Sequence, residues 1–189
     1  MKKRIFCTLL AFVMAAAAAA FPCAAEDGCA LPVEQEDVIW EEYLNYTSYV
    51  SKDKFDNAKA GKYNLVFNIS GAVFLSVEYE DIDDNTKDAD INVVFGNTAI
   101  SDKLKSAAVK RNGGISSSRF SLGSGTDNFC FTGELNIRFG KKYDGKKAKL
   151  YRYDKDKKRL VYVDKCDIGW NGVAAFDVSR AGEYIAVIY

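Results

Sequence analysis

Apolar and polar residues alternate without a break from Phe129 to Phe139. Phe129, Phe131, Gly133, Leu135, Ile137 and Phe139 fall on one side; Cys130, Thr132, Glu134, Asn136 and Arg138 fall on the other. This is the period of a strand with one buried face. Short runs rich in β-branched and aromatic residues follow at 148–154, 159–164, 172–178 and 183–189, separated by turn residues. Upstream, the same pattern predicts strands at 63–69 and 73–80, joined by Ser70-Gly71, and at 90–95 and 117–122. Two stretches carry helical spacing instead. Ser51 can cap a helix that sets Phe55 and Ala58 on one face and stops at Gly61. Ser101 can cap a second with Leu104 and Ala108 on one face, broken by Asn112-Gly113-Gly114. In the 38–50 segment, Ile39, Trp40, Tyr43, Leu44 and Thr47 fit a helical stripe, while the Tyr, Thr and Val content favours a strand. The expectation is a short helix or turn followed by a strand. Many short strands with two short helices define the expected fold class: mainly β, an antiparallel β-sandwich.

The first 25 residues change the picture of where this fold works. Lys2, Lys3 and Arg4 precede an apolar run over 5–20, and Cys23-Ala24-Ala25 offers small residues for cleavage after Ala25. The expected organisation is a signal peptide at 1–25, an acidic arm and leading segment at 26–49, and a β-sandwich domain at 50–189. No integral membrane span is expected after cleavage, and the expected location is secreted or at the cell surface. An uncleaved anchor and a lipid on Cys23 are competing readings; Pro22 stands where lipidation wants a small residue.

Composition narrows the chemistry. The 189 residues are 48% hydrophobic and include no histidine, which removes Ser-His-Asp and Cys-His catalysis and His-ligated metals. Without residues 1–25 the chain keeps 23 basic and 26 acidic residues, a net −3 that argues against general nucleic-acid binding. A hydrolase working through two of Glu78, Glu80 and Glu134 would need a carboxylate separation that no spacing fixes. The expectation is therefore no enzyme.

Certain segments resemble an uncharacterised β-rich accessory module of secreted and surface proteins from Gram-positive, Clostridia-like bacteria. They are Val50-Ser51-Lys52-Asp53, Ala99-Ile100-Ser101-Asp102, Phe131-Thr132-Gly133-Glu134-Leu135, the run from Gly145 to Tyr153, and the closing Gly182-Glu183-Tyr184-Ile185-Ala186-Val187. The resemblance covers about residues 50–189. It implies an accessory domain with the Gly145–Tyr153 run entering a hairpin, and it transfers no enzymatic site.

Four features are candidates for function. Trp170 stands in Gly169-Trp170-Asn171-Gly172, a turn between two strands, where an aromatic face can stack on a sugar ring or fold back over the sheet edge. Between Arg138 and Lys165 stand twelve basic residues and four acidic ones. Lys146, Lys147, Lys157 and Arg159 crowd its turns, suited to an anionic wall polymer or a membrane surface, or simply to solvation and edge protection. Asp81, Asp83 and Asn85 have the first three spacings of a calcium loop, although Thr86 replaces its glycine and Asn92 its bidentate glutamate; no other cofactor is expected. Cys130 and Cys166 either bridge, closing a loop of about 35 residues for roughly 2–4 kcal/mol, or stay free. Extracellular polysaccharide or a surface protein is the expected partner.

Overall fold

The computed structural model describes residues 40–125 and 127–189. The signal segment, Cys23, Cys29 and the arm up to residue 39 lie outside the described residues. The described chain is mainly β, with two α-helices and sheets that are antiparallel apart from one pairing.

The first sheet is built from β1 (Trp40–Asn45), β3 (Tyr63–Ser70), β4 (Val73–Val77), β8 (Asn128–Arg138) and β11 (Val173–Arg180), in the order β1-β3-β4-β8-β11. The second holds β6 (Val93–Phe95), β7 (Ser116–Leu122), β9 (Lys147–Asp154), β10 (Arg159–Asp167) and β12 (Gly182–Ile188), in the order β10-β9-β12-β7-β6. A two-residue ribbon pairs β2 (Tyr49–Val50) with β5 (Ala89–Asp90). Leu65, Phe67, Leu75, Leu135 and Phe176 from the first sheet bury themselves against Phe120, Leu122, Leu150, Tyr184 and Ala186 from the second. Burying two apolar sheet faces against each other is what drives the sandwich. At one side the sheet edges meet: a bulge in β10 between Tyr162 and Asp164 lets the Asp164 carboxylate accept the Asp177 N–H of β11 at 2.9 Å.

Helix α1 (Lys52–Gly61) packs Phe55 onto Phe131, ring centroids 5.2 Å apart. Its end differs slightly from expectation: Gly61 is the last helical residue, and Lys62 takes the left-handed cap with φ 53°. Helix α2 (Asp102–Asn112) begins at Ser101, whose Oγ accepts the Leu104 N–H at 3.3 Å, and ends at left-handed Gly113. It covers the outer face of β12, where Ile100, Ala108, Ile185 and Val187 form a second buried cluster. Because both faces of β12 are covered, its sequence reads as an unbroken apolar run from Tyr184 to Ile188.

Two expectations need correction. The 38–50 segment holds no helix among its described residues: Trp40–Asn45 is an edge strand, paired in parallel with β3 from Trp40↔Tyr63 to Asn45↔Asn68. Backbone pairing to β3 outweighs the weak helical spacing. This strand belongs to the sheet, so the sandwich extends ahead of residue 50. The expected strand at 90–95 is split into β5 and β6, which pair with different partners.

Candidate functional site

Two turns build one end of the sandwich. The first carries Gly140 and the 3-10 segment Lys141–Tyr143; the second is the 3-10 segment Trp170–Gly172 between β10 and β11. They are tied backbone to backbone. The Phe139 N–H donates to Gly172 O at 2.8 Å, the Gly172 N–H to Gly169 O at 3.0 Å, and the Gly169 N–H to Val173 O at 2.8 Å. Asn171 and Gly172 both adopt positive φ, 66° and 70°. The tip is thus a fixed structure, and it holds the Trp170 side chain 80% exposed. The indole does not fold back onto the sheet edge.

Lysines gather at the same end. Lys141 and Lys142 lie in the neighbouring turn, where the Lys142 ammonium sits 4.8 Å from the centre of the Tyr143 ring. A Ser116 hydrogen bond, followed by that ammonium, draws the Tyr143 hydroxyl below its ordinary pKa. Lys146 is locked beside the Trp170 turn, its carbonyl accepting the Ile168 N–H at 2.7 Å. Lys147 opens β9 and approaches Asp167 at 3.8 Å, an exposed contact worth little in water.

The structure separates the other two predicted basic residues from this group. β9 runs eight residues from Lys147 to Asp154, about 25 Å at strand rise, so Lys157 and Arg159 stand at the far end of the hairpin. There the Lys157 N–H donates to Asp154 Oδ1 at 3.0 Å, which holds the turn and lowers the Asp154 pKa.

The predicted calcium residues are spread along a loop tied to its surroundings. Asp81 ends the 3-10 turn Tyr79–Asp81, Ile82 is buried and bridges to Phe131, and the Asp83 N–H donates to Cys130 O at 2.8 Å. Asp84 pairs with Lys59 at 2.6 Å; Asp88 receives the Tyr49 hydroxyl and the Lys52 N–H. Among the described residues no three acidic or cysteine side chains are grouped to hold a metal.

The Cys130–Cys166 bridge is not formed; both are free thiols. Cys130 is buried, with its thiol 3.3 Å from Lys87 O. Cys166, in the other sheet, takes a hydrogen bond from the backbone of Ala175. Ala175 pairs with Asn136, six residues along β8 from Cys130 and so about 20 Å away, far beyond disulfide reach. Burial, first among the causes, pushes the Cys166 thiol up to about 12 and raises that of Cys130.

A groove that sequence reading missed lies between the last turn of α2 and the outer face of the β9–β10 hairpin. It is open to solvent, has a volume of about 470 Å³ and is lined by Arg111, Asn112, Lys149, Tyr151, Tyr162 and Lys165, with Leu160. The signal for its hairpin half was present: Lys149 and Tyr151 are two apart and share a face, and the register sets them opposite Lys165 and Tyr162. That α2 covers one flank was not legible.

Compared with protein-family descriptions, with curated proteins and with solved structures, the chain shows no match.

Proposed function

We propose that this is an exported, non-catalytic binding domain for an extracellular polysaccharide or cell-wall polymer, gripped at the Trp170 end. The observation carrying this reading is the indole itself, 80% exposed on a turn braced by Gly140 and Gly172. Leaving so much apolar surface in water costs stability, and a fixed backbone gains nothing for the core from it. An exposed aromatic face on a hydrogen-bonded turn suits a sugar ring, because the backbone beneath it need not be ordered on contact. Lys141, Lys142, Lys146 and Lys147 add positive charge for an acidic polymer. Affinity electrophoresis of the purified protein through acidic and neutral polysaccharides tests the reading. Retardation by at least one polymer, with affinity reduced about tenfold or more in Trp170→Ala, is the expected result. Unretarded migration through the whole panel sinks it.

Segregation of charge favours a second reading, a protein-interaction domain of an extracellular assembly. Residues 40–90 hold eleven acids and five bases, whereas residues 91–189 hold ten acids and eighteen bases. The first stretch forms the β1 side with α1; the second supplies the whole β9–β10 hairpin on the opposite side of the sheets. Crosslinking on producing cells distinguishes the two: recovery of monomer alone removes this second reading.

A further inference from the structure

The groove between the end of α2 and the β9–β10 hairpin is built from residues other than those of the Trp170 turn. Its construction begins with Asn112, the last residue of α2. The Asn112 Nδ2 donates to Ala108 O at 2.7 Å, the Gly114 N–H to Val109 O at 2.8 Å and the Gly113 N–H to Lys110 O at 3.2 Å. These bonds occupy carbonyls at the negative end of the helix, which would otherwise attract the nearby cations. The Asn112 Oδ1 is then left to accept two donors from β9, the Lys149 ammonium and the Tyr151 hydroxyl, each at 3.0 Å.

Lys149 is positioned a second time by the Tyr189 ring, 4.8 Å from its ammonium. An ammonium has three protons, and Asn112 takes only one of them. Arg111 and Lys165 line the same groove. Among the described residues none of Arg111, Lys149 and Lys165 forms an ion pair with a carboxylate. Three cations held around one concavity repel one another, and an anion would relieve that cost.

Aromatic surface forms the rest of the wall. Tyr162 meets Tyr151 edge to face, centroids 6.1 Å apart, and is 51% exposed. Its hydroxyl has no hydrogen-bond partner among the described residues. The groove therefore offers charge for an oxyanion, an aromatic edge for a ring, and a free hydroxyl for a polar substituent on that ring. Its volume is in the range of small-ligand sites.

We infer that this groove is a second binding site, for a sugar residue bearing an oxyanion, the carboxylate of a uronic acid or a phosphate ester. The inference does not depend on the Trp170 reading, although both sites on one acidic polymer would bind it with avidity. Neutral sugars lack the group that Arg111, Lys149 and Lys165 would hold, and a bare anion leaves the tyrosine wall unused.

NMR titration of the isotope-labelled full chain tests this with four probes: glucuronate, glycerol phosphate, inorganic phosphate and glucose. Saturable shifts at Arg111, Asn112, Tyr162 and Lys165 are expected with glucuronate, glycerol phosphate or both, and the responding probe identifies the oxyanion. The best of these should bind on the order of tenfold more tightly than inorganic phosphate or glucose. The double variant Arg111→Gln/Lys165→Gln touches no structural bond described above and should weaken binding about tenfold or more. Tyr162→Phe should weaken it about two- to fivefold, and Lys157→Gln, at the distant turn, should leave it unchanged. Trp170→Ala should also leave these small-probe titrations unchanged, so failure at either site is read separately. Absence of saturation, inorganic phosphate matching the best sugar probe, or undiminished binding in the double variant overturns the inference.

Discussion

Gly172 and Gly140 meet with no space between them: a Cβ added to Gly172 would lie 2.0 Å from Gly140 O. At φ 70° Gly172 also stands where side chains are strained. Gly172→Ala must push the two turns apart. It should destabilise the protein by about 2 kcal/mol or more, measured by urea unfolding, and broaden the amide signals of residues 139–143 and 169–173. A stability change within about 0.5 kcal/mol would show that the turns are not locked together.

Helix α1 is held to the sandwich largely through Phe55, fully buried against Phe131. Phe55→Ala should cost about 3–5 kcal/mol, the range for an aromatic removed from a core. Hydrogen exchange should accelerate over residues 52–61 more than in β8. Uniform acceleration would mean that the helix and the sheets unfold as one unit.

Acid should loosen the attachment of α1 before it opens the core. Asp56 is held below its ordinary 3.8 by Lys52 first and then by Thr86, Asp84 by Lys59, and Asp88 by Tyr49 and then the Lys52 N–H. A lowered carboxylate pKa stabilises the fold fully above pH 3.8 and loses that contribution as pH falls through the lowered value. These groups are exposed, so the effect is modest and weakens with salt. Thermal melts between pH 6 and pH 2 should show a drop confined to the acid limb, and Asp88→Asn should flatten it. An unchanged slope in that variant would remove Asp88 from the account.

Both described thiols should be inert. With Cys166 raised to about 12 and Cys130 raised by burial, little thiolate exists at pH 8. Native protein treated with iodoacetamide at that pH should leave peptides containing Cys130 and Cys166 unmodified, while urea should expose both. A Cys130–Cys166 peptide in a non-reducing digest would contradict the strand placement.

Much of this was legible locally. The alternation over 129–139 marked the buried residues Phe129, Phe131, Leu135 and Ile137 of β8. Ser51 and Ser101 stood at the starts of both helices, and Gly113 at the end of the second. Trp170 was legible as a turn residue because glycines flank it. The edge strand β1 carries partly helical spacing, and its strand form was not legible locally because its pairing partner begins 23 residues later at Tyr63.

The sequence by itself determined the β character, the places of the two helices with the Ser101 cap of the second, and the lack of histidine, because periodicity, capping and composition act within a few residues; Ser51 stands at the start of α1 without a side-chain cap bond. Tertiary structure decided which surfaces meet. It placed Lys146 and Lys147 beside the Trp170 turn and left Lys157 and Arg159 a strand length away. It set Cys130 and Cys166 in different sheets, and it brought the C-terminal end of α2 beside the hairpin to border a groove at Lys149. Those outcomes depend on which apolar faces bury one another, and that choice is made between segments far apart in the chain.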